Sequence, residues 1–212
     1  MVDLLKNLFK DENMVEKIKR KLPYLFKLAE LEVSRGGKVG MEAGTLRERV
    51  VVAMLKYYFG EDKVKEPNIT THEVDVILEG HSNPISIKTK TGSGYSGVKL
   101  IWTVDWDKVN NFVETYKPKT DILFFRINWD DIGEFCYIPL ELQLELFNKH
   151  EKSYFKKPKK GTNPRGVEIS SYVLQEAVAT AKNMGYVIDI YWETANIGYD
   201  PYKRWIDLWA EE

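Results

Sequence analysis

Cysteine is almost missing from this chain, and that absence narrows its chemistry first. The single Cys136 among 212 residues excludes an internal disulfide and any cysteine-rich zinc site. It stands in the strand-like run GEFCYI, where a small thiol reads as core. Histidine is scarce too: His72, His81 and His150 are scattered, with no HxxxH pair and no Cys or Asp partner at metal-ligand spacing. There is no GxSxG, and Ser93 and Ser96 have no nearby His, so a Ser/His nucleophile finds no support. The GxxxxGK[ST] phosphate loop is also absent. No apolar run approaches a membrane span, and the start MVDLLKNLFKDEN lacks a secretory pattern. A soluble, cytoplasmic protein with no membrane partner is expected. Neither sign of charge is in excess: the formal net charge is −1, which does not announce a nucleic-acid binder. Distribution is the better guide.

Hydrophobic residues make up 43% of the chain, enough for one α/β (α+β) domain with a sizeable core and an N-terminal helical segment over residues 1–40. Met14 to Ser34 carries a broad helical stripe of Ile18, Leu22, Leu25, Leu28, Ala29 and Leu31, suited to a core or a dimer surface. Pro23 predicts a kink, or a break into two packed helices. The loop RGGKVGMEAG, Arg35 to Gly44, holds four glycines and one apolar tip, Met41. Met41 either tucks back on the core or serves as a wedge between DNA base steps. Thr45 to Phe59 reads as a largely buried helix, with Thr45 and Glu48 spaced as a capping box and Gly60 at its end.

The organising stretch is EVDVILEGHSNPISIKTK, Glu73 to Lys90, which reads as a β-hairpin broken at Gly80 to Pro84. With the loop centred near His81 and Ser82, Asp75 falls opposite Lys88 or Thr89. A glycine-rich turn, Thr91 to Lys99, follows, and its backbone N–H groups can cradle a phosphate. Beyond it, strands are expected near Leu100–Val104, Asp121–Asn128, Gly133–Ile138 and Tyr186–Trp192. Helices are expected over Asp105–Tyr116, Pro139–Lys149 (Pro in its first turn) and Ser170–Met184. The aromatic tail ANIGYDPYKRWIDLWAEE is expected to pack as a short helix.

Hydrolysis of a phosphodiester needs a hard divalent cation on oxygen ligands, a positioned water, and positive charge where the phosphorane develops. Asp75, the carbonyl of Ile87, and Lys88 supply these parts. Ser86 points to the same side as Lys88, and Glu48 is either a metal ligand completing the set or only a helix cap. The arrangement Glu48 … Asp75 … Ser86-Ile87-Lys88 resembles the core of the PD-(D/E)xK nucleases. With the runs GTLRERVVVAMLKYYFG and PISIKTKTGSGYSGVKLIWT it looks most like the ThaI type II restriction endonucleases. Two departures stand out: Ser86 occupies the place of a usual acid, and Glu73-Val74 replaces the Pro before the family's Asp. Glu48 or Glu73 is the candidate to compensate.

That resemblance implies a central mixed sheet flanked by helices over residues 41–212, with Asp75, Lys88, Glu48 and Ser86 as catalytic residues and Asp75, Ile87 and Glu48 holding Mg²⁺. It further implies a homodimer cutting double-stranded DNA at a short palindrome of G and C. For guanine readout Arg or Lys must reach O6 and N7. Lys152 to Arg165, KSYFKKPKKGTNPR, carries six basic residues and no acid, and is either a solvated loop or a DNA contact. Lys156, Lys157, Lys159, Lys160 and Arg165 are the DNA-binding candidates there. Met41, Lys90, Ser93, Tyr95 and Lys99 are the candidates nearer the hairpin, and Trp102 is a further aromatic beside it. Two alternatives stay open: a structure-specific repair or recombination nuclease, and a non-catalytic DNA-binding protein with a degenerate centre.

Overall fold

The computed structural model describes residues 3–34, 39, 42–68, 73–159, 161 and 163–211. Helices α1 (Leu5–Lys10), α2 (Glu12–Glu32) and α3 (Ala43–Phe59) lead into a two-stranded ribbon, β1 (Val64–Lys65) and β2 (Ile77–Leu78). Then come β3 (Ile85–Thr91), β4 (Lys99–Ile101), α4 (Trp106–Thr115), β5 (Asp121–Ile127), β6 (Ile132–Ile138) and α5 (Leu140–His150). The chain ends with β7 (Phe155–Lys156), β8 (Val167–Ile169), α6 (Ser171–Asn183), β9 (Val187–Tyr191) and α7 (Lys203–Ala210).

The central sheet is four-stranded and mixed, in the order β3-β5-β6-β9. β3 and β5 run parallel, joined through β4 and α4; the other neighbours are antiparallel. Its middle strands bury both faces, as β5 does along DILFFRI, which is why they read as continuous apolar runs. One face receives α1 and α2, with Phe9 against Phe135 and Phe26 against Phe125 and Trp192. The other, through Ile122 and Ile138, receives α5 and α6. The N-terminal helices therefore share a single core with the sheet.

Several expectations change. α2 runs unbroken through Pro23. An interior proline costs about 3 kcal/mol, and burying Ile18, Leu22 and Phe26 on the same helix outweighs it. α3 starts at Ala43, before Thr45, and has no side-chain cap, so the capping-box reading of Glu48 fails. α3 is also less buried than expected: Ala53 and Tyr57 lie open. Pro139 is the N-cap of α5 and not its first-turn residue. α7 forms, but buries none of its residues.

The hairpin loop is fixed from below. His81 Nδ1 accepts the backbone N–H of Leu4 at 3.2 Å, so the ring proton sits on Nε2 and is donated to Asp121 Oδ2 at 2.7 Å. Asp121, wholly buried at the head of β5, also accepts from Asn83 Nδ2, the Tyr137 hydroxyl and the Leu140 N–H. His81 thus serves structure and not the site. Asp121→Ala leaves these buried donors unmatched and should cost about 3 kcal/mol or more, measured by urea unfolding.

Candidate active site

β3 is an edge strand of the central sheet, and its outer side carries the site. The ribbon strand preceding it is shorter than a full hairpin arm: Val76 pairs with Ile85 as an isolated antiparallel bridge. Asp75 therefore lies opposite Ser86, two residues short of Lys88 and three short of Thr89, the expected partners. The turn is centred nearer Gly80, which adopts φ +82°. This register tightens the site. Asp75 Oδ2 accepts the Ser86 hydroxyl at 3.1 Å and the Ile87 N–H at 2.6 Å. The N–H and C=O of a strand residue point to the same side, so the Ile87 carbonyl also faces Asp75 and away from β5. Ser86 and Lys88, two residues apart, share a face; Ser86 is buried and Lys88 half-buried.

α3 brings Glu48 to the same place. Arg47 beside it is buried and ion-paired with Glu30 of α2, and Trp129 Nε1 donates to that carboxylate at 3.1 Å, which fixes the rotation of α3. Burial, then the charge of Asp75 and a hydrogen bond to it, push the Glu48 carboxyl up to about 7; Lys88 opposes the rise and Glu66 adds to it. Two acids and one ammonium therefore act on one another across α3, the ribbon and β3. Glu73, the other candidate acid, turns at φ +67°, pairs with Lys119, and acts on Tyr116 and Tyr154. Glu66, bonded to Lys56 at 2.9 Å, escapes a reading of the sequence, where nothing in its spacing marks it.

Among the described residues, no group of three or more His, Cys, Asp or Glu could hold a metal ion. Two carboxylates and the Ile87 carbonyl are nonetheless hard oxygens of the kind that could hold Mg²⁺, a cation that keeps several waters. The mutual repulsion of Glu48 and Asp75 is what a divalent cation would relieve. The residues present fit the ion.

The basic candidates gather elsewhere, on a second sheet of order β4-β8-β7. Lys99, Lys156, Lys157, Lys159 and Arg165 line an open cleft of about 480 Å³ with Glu168. Glu168, invisible as a partner in the sequence, holds Lys156 at 2.9 Å and Lys99 at 3.7 Å. Gly166 sets this wall: at φ +92° a Cβ would sit 1.9 Å from the Ile101 carbonyl oxygen, so only glycine fits beside Arg165. Tyr154 and Phe155, inside the basic run, are core. In the glycine-rich turn, the Ser93 carbonyl accepts from Arg126 at 3.0 Å, and Tyr95 leans on Phe124 with Arg126 over its ring at 5.2 Å. Burial and the nearby Glu134 raise the Tyr95 hydroxyl to about 12. Lys90 bonds the Thr91 carbonyl, and Trp102 is 66% exposed. Met41 and Lys160 lie outside the described residues.

A mixed sheet with an acid-and-lysine centre on an edge strand, buttressed by a helix that supplies a further acid, is a restriction-endonuclease fold. One solved structure, a restriction endonuclease in complex with substrate DNA, is 49% identical, with a TM-score of 0.91 over 99% of this chain and 100% of that one. The sequence pattern of restriction endonuclease ThaI matches residues 8–211, and the chain belongs to the ThaI restriction endonuclease family. No curated protein matches it. Among the described residues no helix is long and apolar enough to cross a membrane.

Proposed function

We propose that the chain is a type II restriction endonuclease that hydrolyses double-stranded DNA with Mg²⁺, as a homodimer, at a short GC-rich palindrome. The observation that carries this reading is the meeting of Glu48, Asp75 and Lys88 at the edge of β3. Asp75, Glu48 and the Ile87 carbonyl would hold Mg²⁺. The ion supplies Lewis-acid stabilisation of charge on the phosphate oxygens. The Ser86 hydroxyl and Ile87 N–H keep Asp75 in one orientation. Lys88 holds the attacking water and opposes the negative charge that grows at phosphorus. Water adds its oxygen to phosphorus and gives up one proton to solvent, one P–O ester bond breaks, and the departing alkoxide takes a proton from solvent. With one centre per subunit, a two-fold pair would cut both strands of a palindrome.

The experiment is incubation with long duplex DNA and Mg²⁺. Discrete bands support this reading. A smear, cutting confined to branched DNA, or intact DNA that still shifts on a gel would overturn it.

In the same reading the basic cleft follows the DNA backbone, Lys90, Ser93, Tyr95 and Lys99 extend the contact surface, and Met41 is a further DNA-binding candidate. Replacing Lys156 and Lys157 with alanine should weaken binding and flatten the plot of log K against log salt by about 0.9 for each phosphate that is no longer neutralised. Titration of fluorescent duplex over a range of salt concentrations reads the slope; an unchanged slope removes the cleft from the interface.

A further inference from the structure

The C-terminal helix and the groove between α2 and α3 are both unpartnered apolar surfaces. Residues 192–200 have no regular secondary structure. The arm is tied to the body at Thr194, whose N–H and hydroxyl donate to Asp130 at 3.0 Å. Beyond it Tyr199 comes within reach of the charge of Glu32, at the end of α2. α7 then stands clear of the body with Trp205 57%, Ile206 60% and Trp209 90% exposed. A helix bearing two open tryptophans is an interaction surface awaiting a partner.

The complementary surface lies along the first half of α2. There a groove of about 410 Å³ is lined by Ile18, Leu22, Leu25, Val50, Ala53 and Met54. Lys17 and Lys21 also line it, while α7 carries Lys203, Arg204 and Asp207 and is followed by Glu211. The two surfaces match in polarity: an apolar slot whose Lys17 ammonium is bonded to the Tyr57 hydroxyl, and an apolar helix whose Asp207 is paired within the helix with Lys203. α3, which the sequence pattern reads as largely buried, leaves Ala53 open in this groove.

We infer that α7 of one copy docks in the α2–α3 groove of a second copy, and the second copy's arm returns the contact. The inference deepens the two-fold reading above and rests on it for the meeting of two copies. The eight residues 195–202 span at most about 28 Å when extended, close to the length of α2, so the arm can cross to a neighbour. Aromatic side chains bury about 150–250 Å² each, so the four tryptophans of two reciprocal contacts, counted with an equal area of groove, come to roughly 1,200–2,000 Å², the range of a standard interface.

Sedimentation of the full chain tests it, with an arm variant, Trp205→Glu with Trp209→Glu, and a groove variant, Ala53→Arg, both at exposed positions. The parent should sediment as a dimer, and each variant alone should dissociate at least tenfold more readily. Mixing the two should restore dimers, since one intact arm then meets one intact groove. A monomeric parent, variants that dimerise like the parent, or a mixture without recovery would each overturn the docking. So would variants that stay dimeric yet lose DNA binding, which would make α7 a DNA contact. Cleavage is scored separately: a parent that cuts DNA while both variants sediment like it defeats the docking alone. A parent that dimerises through the arm but cuts nothing defeats the nuclease reading alone.

Discussion

Lys88→Ala should lower the cleavage rate about a hundred- to a thousandfold, the loss seen when one transition-state donor is removed from a preorganised site. Binding of duplex DNA should stay nearly unchanged and keep its salt dependence. Lys88 shares a strand face with Ser86, whose hydroxyl holds Asp75, and its charge reaches Glu48. Its ammonium is therefore placed against the carboxylates and not in the basic cleft of Lys99 and Lys157. Single-turnover cleavage and equilibrium binding separate these roles. If affinity falls together with rate, Lys88 docks the DNA and the assignment is wrong.

Glu48→Gln should move stability and activity in opposite directions. The folded protein holds the Glu48 carboxyl near 7 against an ordinary value of 4.5. A group raised on folding contributes its full stability below its unfolded pKa and loses it as pH climbs through the folded one. The metal-free protein should therefore lose stability between about pH 4.5 and pH 7, and this penalty persists at pH 8. Glutamine removes it. The site is partly open to solvent, so the gain is about 1–2 kcal/mol, or roughly 2–8 °C in Tm for a chain of this size. The gain should fade below pH 5. Cleavage should fall at least about a hundredfold, as in other sites that trade stability for chemistry. Mg²⁺ should raise the parent's Tm at pH 8 and leave the variant's nearly unmoved. A variant that melts lower than the parent at pH 8, without metal, would make Glu48 a structural residue.

Much of this fold is legible because its middle is simple. DILFFRI and GEFCYI are short apolar runs bounded by breakers, and the structure pairs them as β5 and β6 with Phe125 against Phe135. Asp105 marks the start of α4, capping the N–H groups of Asp107 and Lys108. The candidate site residues Glu48, Asp75 and Lys88 can be picked out in the chain, but the register between Asp75 and β3 differs by two or three positions from the expected Lys88 or Thr89. Gly80 to Pro84 allows more than one turn, and only the loop's anchoring on Asp121 selects among them. The Thr45–Glu48 spacing misleads, since a capping box is generic and the helix has already begun at Ala43. The tail misleads in the other direction. WIDLWA reads as core by composition, and no single-chain pattern distinguishes a surface meant for one's own sheet from a surface meant for a neighbour.

The serine in β3 decides how far this centre can be re-engineered. Position 86 is almost fully enclosed, and its hydroxyl is already committed to Asp75. Installing an acidic side chain there would crowd a third anion against two that already resist ionising together. The chain has instead gathered its acids from separate segments, and rearranging one of them means rebuilding the others with it.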